Sequence, residues 1–146
     1  MRKINLLYVF IFAAFISCKK DPEKRDDVTI TYGTICGWCA GGDSLLLTKG
    51  KIRFEKFTPC DDSNFAKDSA LSKTEWNTLL EHVDMKKFKK ININTCNYCA
   101  DGCDVWLKIK EGSEYHQIRF GYQDSAIVSD IMPLLNKLND IRTKFT

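Results

Sequence analysis

Six cysteines crowd into two short stretches and one point between them: Cys36-Gly-Trp-Cys39, Cys60, and Cys96-Asn-Tyr-Cys99-Ala-Asp-Gly-Cys103. No other feature restricts the fold so strongly, because every cross-link made among them removes conformations from the chain. Three chemistries fit the spacing. Cys36, Cys39, Cys96 and Cys99 have the paired CxxC arrangement of a tetrathiolate zinc site, with zinc as the cofactor. Cys36-Gly-Trp-Cys39 also has the spacing of a thiol–disulfide redox pair. Ala40-Gly41-Gly42 and then strand-like residues come directly after it, so no helix N-terminus stands there to lower a thiol pKa. The third chemistry is structural, with Cys36, Cys39, Cys60, Cys96, Cys99 and Cys103 forming three disulfides and no cofactor. The compartment decides among them, since disulfides persist only where conditions are oxidising.

The N-terminus speaks to the compartment. Arg2 and Lys3 form a short positive region, Leu6 to Ile16 is apolar, and Cys18, Lys19 and Lys20 end the run. The run is too short for a spanning helix, which needs about 20 apolar residues. It has the layout of an export signal. Phe15-Ile16-Ser17-Cys18 resembles the bacterial lipobox, with Phe15 in the place of the usual Leu, as in the looser boxes of Bacteroidota-type lipoproteins. The resemblance implies a signal peptide over 1–17 and an acylated, palmitate-type N-terminus at Cys18. Cysteine parity agrees: the chain has seven cysteines, and giving Cys18 to lipid leaves six that can pair completely. The disulfide reading therefore leads, with zinc as an alternative and a redox protein as another.

Residues 18–27 are expected to be the lipidated Cys18 and a solvated tether, because Lys19 to Asp27 is charged, contains Pro22 and has no apolar residue. The resemblance implies a cell-envelope location with the bilayer as one partner, through Cys18. Lys19 differs from the Asp that holds some lipoproteins at the inner membrane, which favours the outer membrane. Arg2 and Lys3 are the only charges before Cys18, so the chain from Cys18 onward carries +1 rather than +3. That near neutrality speaks against nucleic acid as a partner.

Residues 28–146 make one domain's worth of chain. Val28-Thr-Ile-Thr-Tyr32 alternates as a half-buried strand does. Ser44 to Thr48 and Lys51 to Phe57 flank Lys49-Gly50 as a hairpin. With those two residues as the loop, opposed positions sum to 99: Leu47 meets Ile52, Leu45 meets Phe54, and Asp43 meets Lys56. The register sorts apolar with apolar. Extended outward, it sets Cys39 opposite Cys60, which predicts a disulfide there and leaves Cys36 to join Cys96, Cys99 or Cys103. A three-residue loop from Thr48 to Gly50 would shift this register by one. Pro59 to Ala66 reads as a polar turn.

Ser72-Lys-Thr-Glu75 is a capping box, and Trp76, Leu79, Leu80 and Val83 come after it at helical spacing, predicting a helix over 73–83 with Phe88 closing over its end. Val105 to Lys110 and Tyr115 to Tyr122 read as a second hairpin about Gly112-Ser113, with Val105 opposite Phe120, Leu107 opposite Ile118 and Ile109 opposite His116. Ile127, Ile131, Leu134, Leu135, Leu138 and Ile141 mark a C-terminal helix that Pro133 must start near or kink. The expected fold is α+β: an antiparallel sheet of two hairpins and an N-terminal strand, both helices on one face, stapled by disulfides. Tyr32-Gly-Thr-Ile-Cys36-Gly-Trp-Cys39 before a hairpin, and this element order, are similar to small domains of Bacteroidota lipoproteins without assigned chemistry. That resemblance implies a fold and a location and nothing catalytic.

No catalytic constellation is legible: His82 and His116 lack a nucleophile motif, and Asp101-Gly102 is simpler as turn chemistry. Trp38 and Tyr98 sit inside CxxC loops, and aromatic residues on rigid loops make binding surfaces at low entropic expense. The function expected is a non-enzymatic binding or interaction module on the envelope, with Trp38 and Tyr98 as contacts to an envelope partner.

Overall fold

The alternating run at Val28 becomes the hub of the molecule. In a computed structural model describing residues 25, 27–61 and 63–146, β1 (Val28–Cys36) lies in the middle of a six-stranded sheet. The segment expected to be a signal peptide, Cys18, and most of the tether fall outside the described residues. To one side of β1 stand β2 (Gly42–Thr48), β3 (Lys51–Phe57) and β4 (Phe65–Ala70). To the other stand β5 (Cys103–Glu111) and β6 (Glu114–Phe120), giving the order β4-β3-β2-β1-β5-β6. Every pairing is antiparallel.

Both hairpins take the register that their turns dictate. Leu47 pairs with Ile52, Leu45 with Phe54 and Asp43 with Lys56. Val105 pairs with Phe120, Leu107 with Ile118 and Ile109 with His116. Gly50 and Gly112 supply the positive φ that these turns require, at 83° and 63°. The sheet has one strand more than expected. Phe65 and Ala66 begin β4 rather than ending a loop, and this strand pairs with β3 at the sheet edge. All six of its residues are exposed, so its sequence carries no burial pattern.

The capping box operates as written: the Glu75 amide donates to Ser72 Oγ at 3.1 Å and the Ser72 amide donates to Glu75 Oε2 at 3.2 Å. The helix α1 (Lys73–Glu81) ends two residues short of the expected limit. A short helix α2 (Met85–Phe88) comes next, capped by Asp84, whose Oδ1 accepts from the amides of Lys86 and Lys87. Pro133 stands in the first turn of α3 (Met132–Arg142), where its missing N–H is no loss. Ile127, expected in the apolar stripe of this helix, precedes it and is exposed.

One core joins the sheet to the helices. Ile30, Leu45, Leu47, Phe54, Leu107, Ile109 and Ile118 pack with Trp76, Leu79, Phe88, Leu134 and Leu138, all under 2% exposed or at that mark. His116 is part of this packing: its ring meets Phe88 edge-on and Nε2 lies 2.8 Å from the Ile91 carbonyl. Among the described residues no helix is long and apolar enough to cross a membrane.

Sheet topology sorts the loops into two ends. Val28, Thr48, Lys51, Glu111 and Glu114 mark one end, and Cys36, Gly42, Phe57, Cys103 and Phe120 mark the other. The chain enters at the first end. There Arg25 pairs with Glu111 at 3.0 Å and donates to the carbonyls of Leu80 and Val83 at 3.2 Å each. These carbonyls lie at and just past the C-terminal end of α1, where a cation is a natural partner.

Candidate functional site

All six cysteines gather at the end of the sheet away from Arg25. Cys36 and Cys103 are directly opposed across β1 and β5, their Cα atoms 4.0 Å apart, and form a disulfide. Cys39 is bonded to Cys60 with Cα atoms 5.2 Å apart. The β2–β3 ladder stops at Gly42 opposite Phe57, and Gly41 at φ 69° turns the chain away, so this bridge joins two loops rather than two paired strand positions. The remaining pair, Cys96 and Cys99, closes on itself across a 3₁₀ turn at Asn97–Ala100. The residue that Cys36 joins, left open among three by the sequence, is Cys103.

The bridges differ in how much chain they close, spanning 67, 21 and 3 residues. Loop-closure entropy ranks them accordingly, at about 4.4, about 3.3 and about 1.6 kcal/mol. Cys36–Cys103 is thus the principal staple. Cys36 and Cys39 belong to different bridges, so they do not form a CxxC redox pair. The four cysteines of the zinc alternative are all held as disulfide sulfur, whereas zinc binds thiolate.

The two CxxC loops are brought against each other. The Gly37 amide donates to the Gly102 carbonyl at 2.9 Å, and a Cβ at Gly37 would run into the Tyr98 carbonyl oxygen, so only glycine permits this approach. The Cys96–Cys103 loop is organised about Asp104, which is fully buried. Its Oδ1 accepts from Thr95 Oγ1 and Asn97 Nδ2, both at 2.7 Å, and its Oδ2 accepts from the Tyr98 amide at 3.2 Å. Burial pushes the carboxyl's pKa up, but the hydrogen bonds from Thr95, Tyr98 and Asn97 outweigh it and the net shift is downward.

Trp38 and Tyr98 take different roles. Tyr98 is half-buried, with the Arg119 guanidinium 4.9 Å above its ring, while Arg119 Nε donates to the Thr95 carbonyl at 2.6 Å. Its ring packs within the protein. Trp38 is 83% exposed and sits at φ 53°, a left-handed conformation that a bulky residue rarely adopts. Tyr122 lies beyond β6 at the same end and is 72% exposed. It stands outside the strand that the sequence pattern extends to it. The Gly121 that precedes it, whose amide donates to Asp124 Oδ2 at 2.8 Å, is the local sign of the turn that ends β6.

Beside Tyr122 a cavity of about 210 Å³ opens between β1, β5, β6 and α3, with Tyr32, Tyr122, Asn136, Asn139 and Arg142 among its lining residues. Arg142 is not free in it, because its guanidinium grips Asp43 and also donates to Thr34 Oγ1 at 3.2 Å. Burial would lower the Arg142 pKa, but the Asp43 carboxylate more than restores it and the group is held more firmly charged. Burial raises the Tyr32 hydroxyl pKa in spite of the nearby arginine, which keeps that hydroxyl protonated. These polar residues are far apart in sequence, and no motif announces them.

The chain matches no known family and none of the curated proteins with which it was compared.

Proposed function

We propose that this protein is an envelope-anchored, non-catalytic interaction module, held to the outer membrane by lipid on Cys18 and meeting an envelope partner with the cysteine-bearing end of its sheet. The observation that carries the reading is Trp38. An indole at 83% exposure and φ 53° adds nothing to the core, and its conformation is unfavourable by about 1–2 kcal/mol. Such local strain, fixed by disulfides on both flanks at Cys36 and Cys39, is a common mark of binding loops. Trp is also the residue type most enriched at interface hot spots.

The placement of the tether supports the same reading. Arg25 is fastened at one end of the sheet and the cysteines lie at the other, separated by the length of β1, nine residues or about 27 Å. A lipid on Cys18 would leave Trp38 and Tyr122 pointing away from the bilayer. The test is a photocrosslinking amino acid at position 38 of the full chain expressed with its native N-terminus, alongside a Cys18→Ala control for labelling by an alkynyl fatty acid. A discrete crosslinked partner in envelope extracts, lost when the probe is moved to Lys49 at the opposite end, supports the module. Equal crosslinking from both positions overturns the binding reading, and fatty-acid label that survives in Cys18→Ala overturns the anchor.

A further inference from the structure

The bridge Cys96–Cys99 differs from its two companions in position and in duty. It closes a turn with only Asn97 and Tyr98 between its ends; its cysteines are exposed, as Cys39 and Cys60 also are. Cys36–Cys103, in contrast, is half-buried and covalently pins β1 to β5. A disulfide and a fold stabilise each other by the same amount, because the linkage is reciprocal. Opening the bridge that closes the shortest loop therefore takes the least stability from the fold.

The turn around it does not depend on the sulfur–sulfur bond. Asp104 holds Thr95, Asn97 and Tyr98 by three hydrogen bonds, the Gly102 amide donates to the Asn97 carbonyl at 2.9 Å, and the Thr95 amide donates to the Arg119 carbonyl at 2.9 Å. Arg119 stacked on Tyr98 completes the frame. Such a frame would keep both thiols close together once the bond is broken, so that the pair could open and reclose without unfolding.

We propose that Cys96–Cys99 is a stoichiometric thiol–disulfide exchange site, reacting once with a thiol-bearing partner rather than turning over, while the other two bridges remain oxidised. A partner thiolate attacks one sulfur of the pair; the Cys96–Cys99 bond breaks, a mixed disulfide forms, and the other cysteine leaves as thiolate. A second partner thiolate then attacks the partner's sulfur in that mixed disulfide and the bound cysteine leaves as thiolate, so that this protein gains two electrons and two protons and the partner becomes a disulfide. The same steps in reverse let the dithiol reduce a partner disulfide. The site stands on the cysteine geometry alone and is independent of the lipid anchor and of Trp38.

Glutathione is the probe. The full chain is equilibrated in buffers of graded reduced-to-oxidised glutathione ratio, quenched with acid and alkylated, and the alkylated cysteines are mapped by mass. The site requires Cys96 and Cys99 to open at a ratio at least about tenfold more oxidising than the other four demand, with the near-ultraviolet circular dichroism unchanged. Opening of Cys39–Cys60 at the same ratio, or loss of tertiary signal together with Cys96–Cys99, overturns it. In the Cys99→Ser variant, folded by the same criterion, oxidised glutathione should leave a mixed disulfide on Cys96. A folded variant that takes no adduct also overturns the proposal, and should Cys99→Ser not fold, Cys96→Ser is read at Cys99 in the same way.

Discussion

Arg142, in the last turn of α3, grips Asp43 of β2 with two hydrogen bonds, Nε to Oδ1 at 2.8 Å and Nη2 to Oδ2 at 2.6 Å. The pair is largely buried and joins the C-terminal helix to the sheet at the cysteine end. Removing one member leaves a charge without its partner in a poorly solvated place. Arg142→Leu is expected to destabilise the fold by about 3 kcal/mol, read from urea unfolding at neutral pH. The double variant Asp43→Leu with Arg142→Leu should recover a large part of that loss. If the double variant is as unstable as the sum of both singles, the ion pair is not what the single substitution removes.

Acid should loosen the loop that Asp104 organises. The folded-state pKa of Asp104 is depressed, so its contribution is fully present above the unfolded value of about 3.9 and disappears as pH falls through the lower folded value. Hydrogen exchange of the Tyr98 amide should accelerate over that acid range ahead of amides in β1. Asp104→Asn should weaken the loop at neutral pH and flatten the acid dependence. An unchanged acid limb in a folded Asp104→Asn variant would assign the pH response elsewhere.

The disulfides should rank by the chain they close. Paired Cys→Ser substitutions at Cys36 and Cys103 should lower stability by about 4 kcal/mol, those at Cys39 and Cys60 by about 3, and those at Cys96 and Cys99 by less than about 2. Denaturant titration of the three double variants under non-reducing conditions decides the order. Equal losses for all three would show that loop length does not govern them.

Trp38 should be dispensable for folding and required for binding. Trp38→Gly relieves a positive φ that glycine tolerates, so stability should rise by about 1 kcal/mol, while crosslinking to the envelope partner falls to background. Thermal unfolding and crosslinking yield read the two effects separately. A marked fall in stability would mean that the indole packs in the fold, against its exposure.

What could be read from the amino acids depended on how local the determining contacts were. The hairpins at Lys49-Gly50 and Gly112-Ser113 and the cap at Ser72 are written within a few residues, and the structure obeys them. β4 could not be read, since Phe65-Ala-Lys-Asp-Ser-Ala is an exposed edge whose pairing comes from β3 and not from its own pattern. Cys36–Cys103 and Asp43–Arg142 both depend on β1 standing between β2 and β5, a matter of sheet order that no short window contains. The nearness of the two CxxC loops and the exposure of Trp38 are of the same kind: the residues stand out in the sequence, but their company comes from topology.

The position of β1 has a mechanical consequence. A pull on the N-terminal side runs along the axis of a strand flanked by antiparallel ladders on both edges, so the load falls on many hydrogen bonds in shear at once and does not peel them one by one. At its far end the strand is welded to β5 through Cys36–Cys103. Even after the ladders yielded, tension entering at Val28 would meet a covalent stop, and the strand could not be drawn out of the sheet.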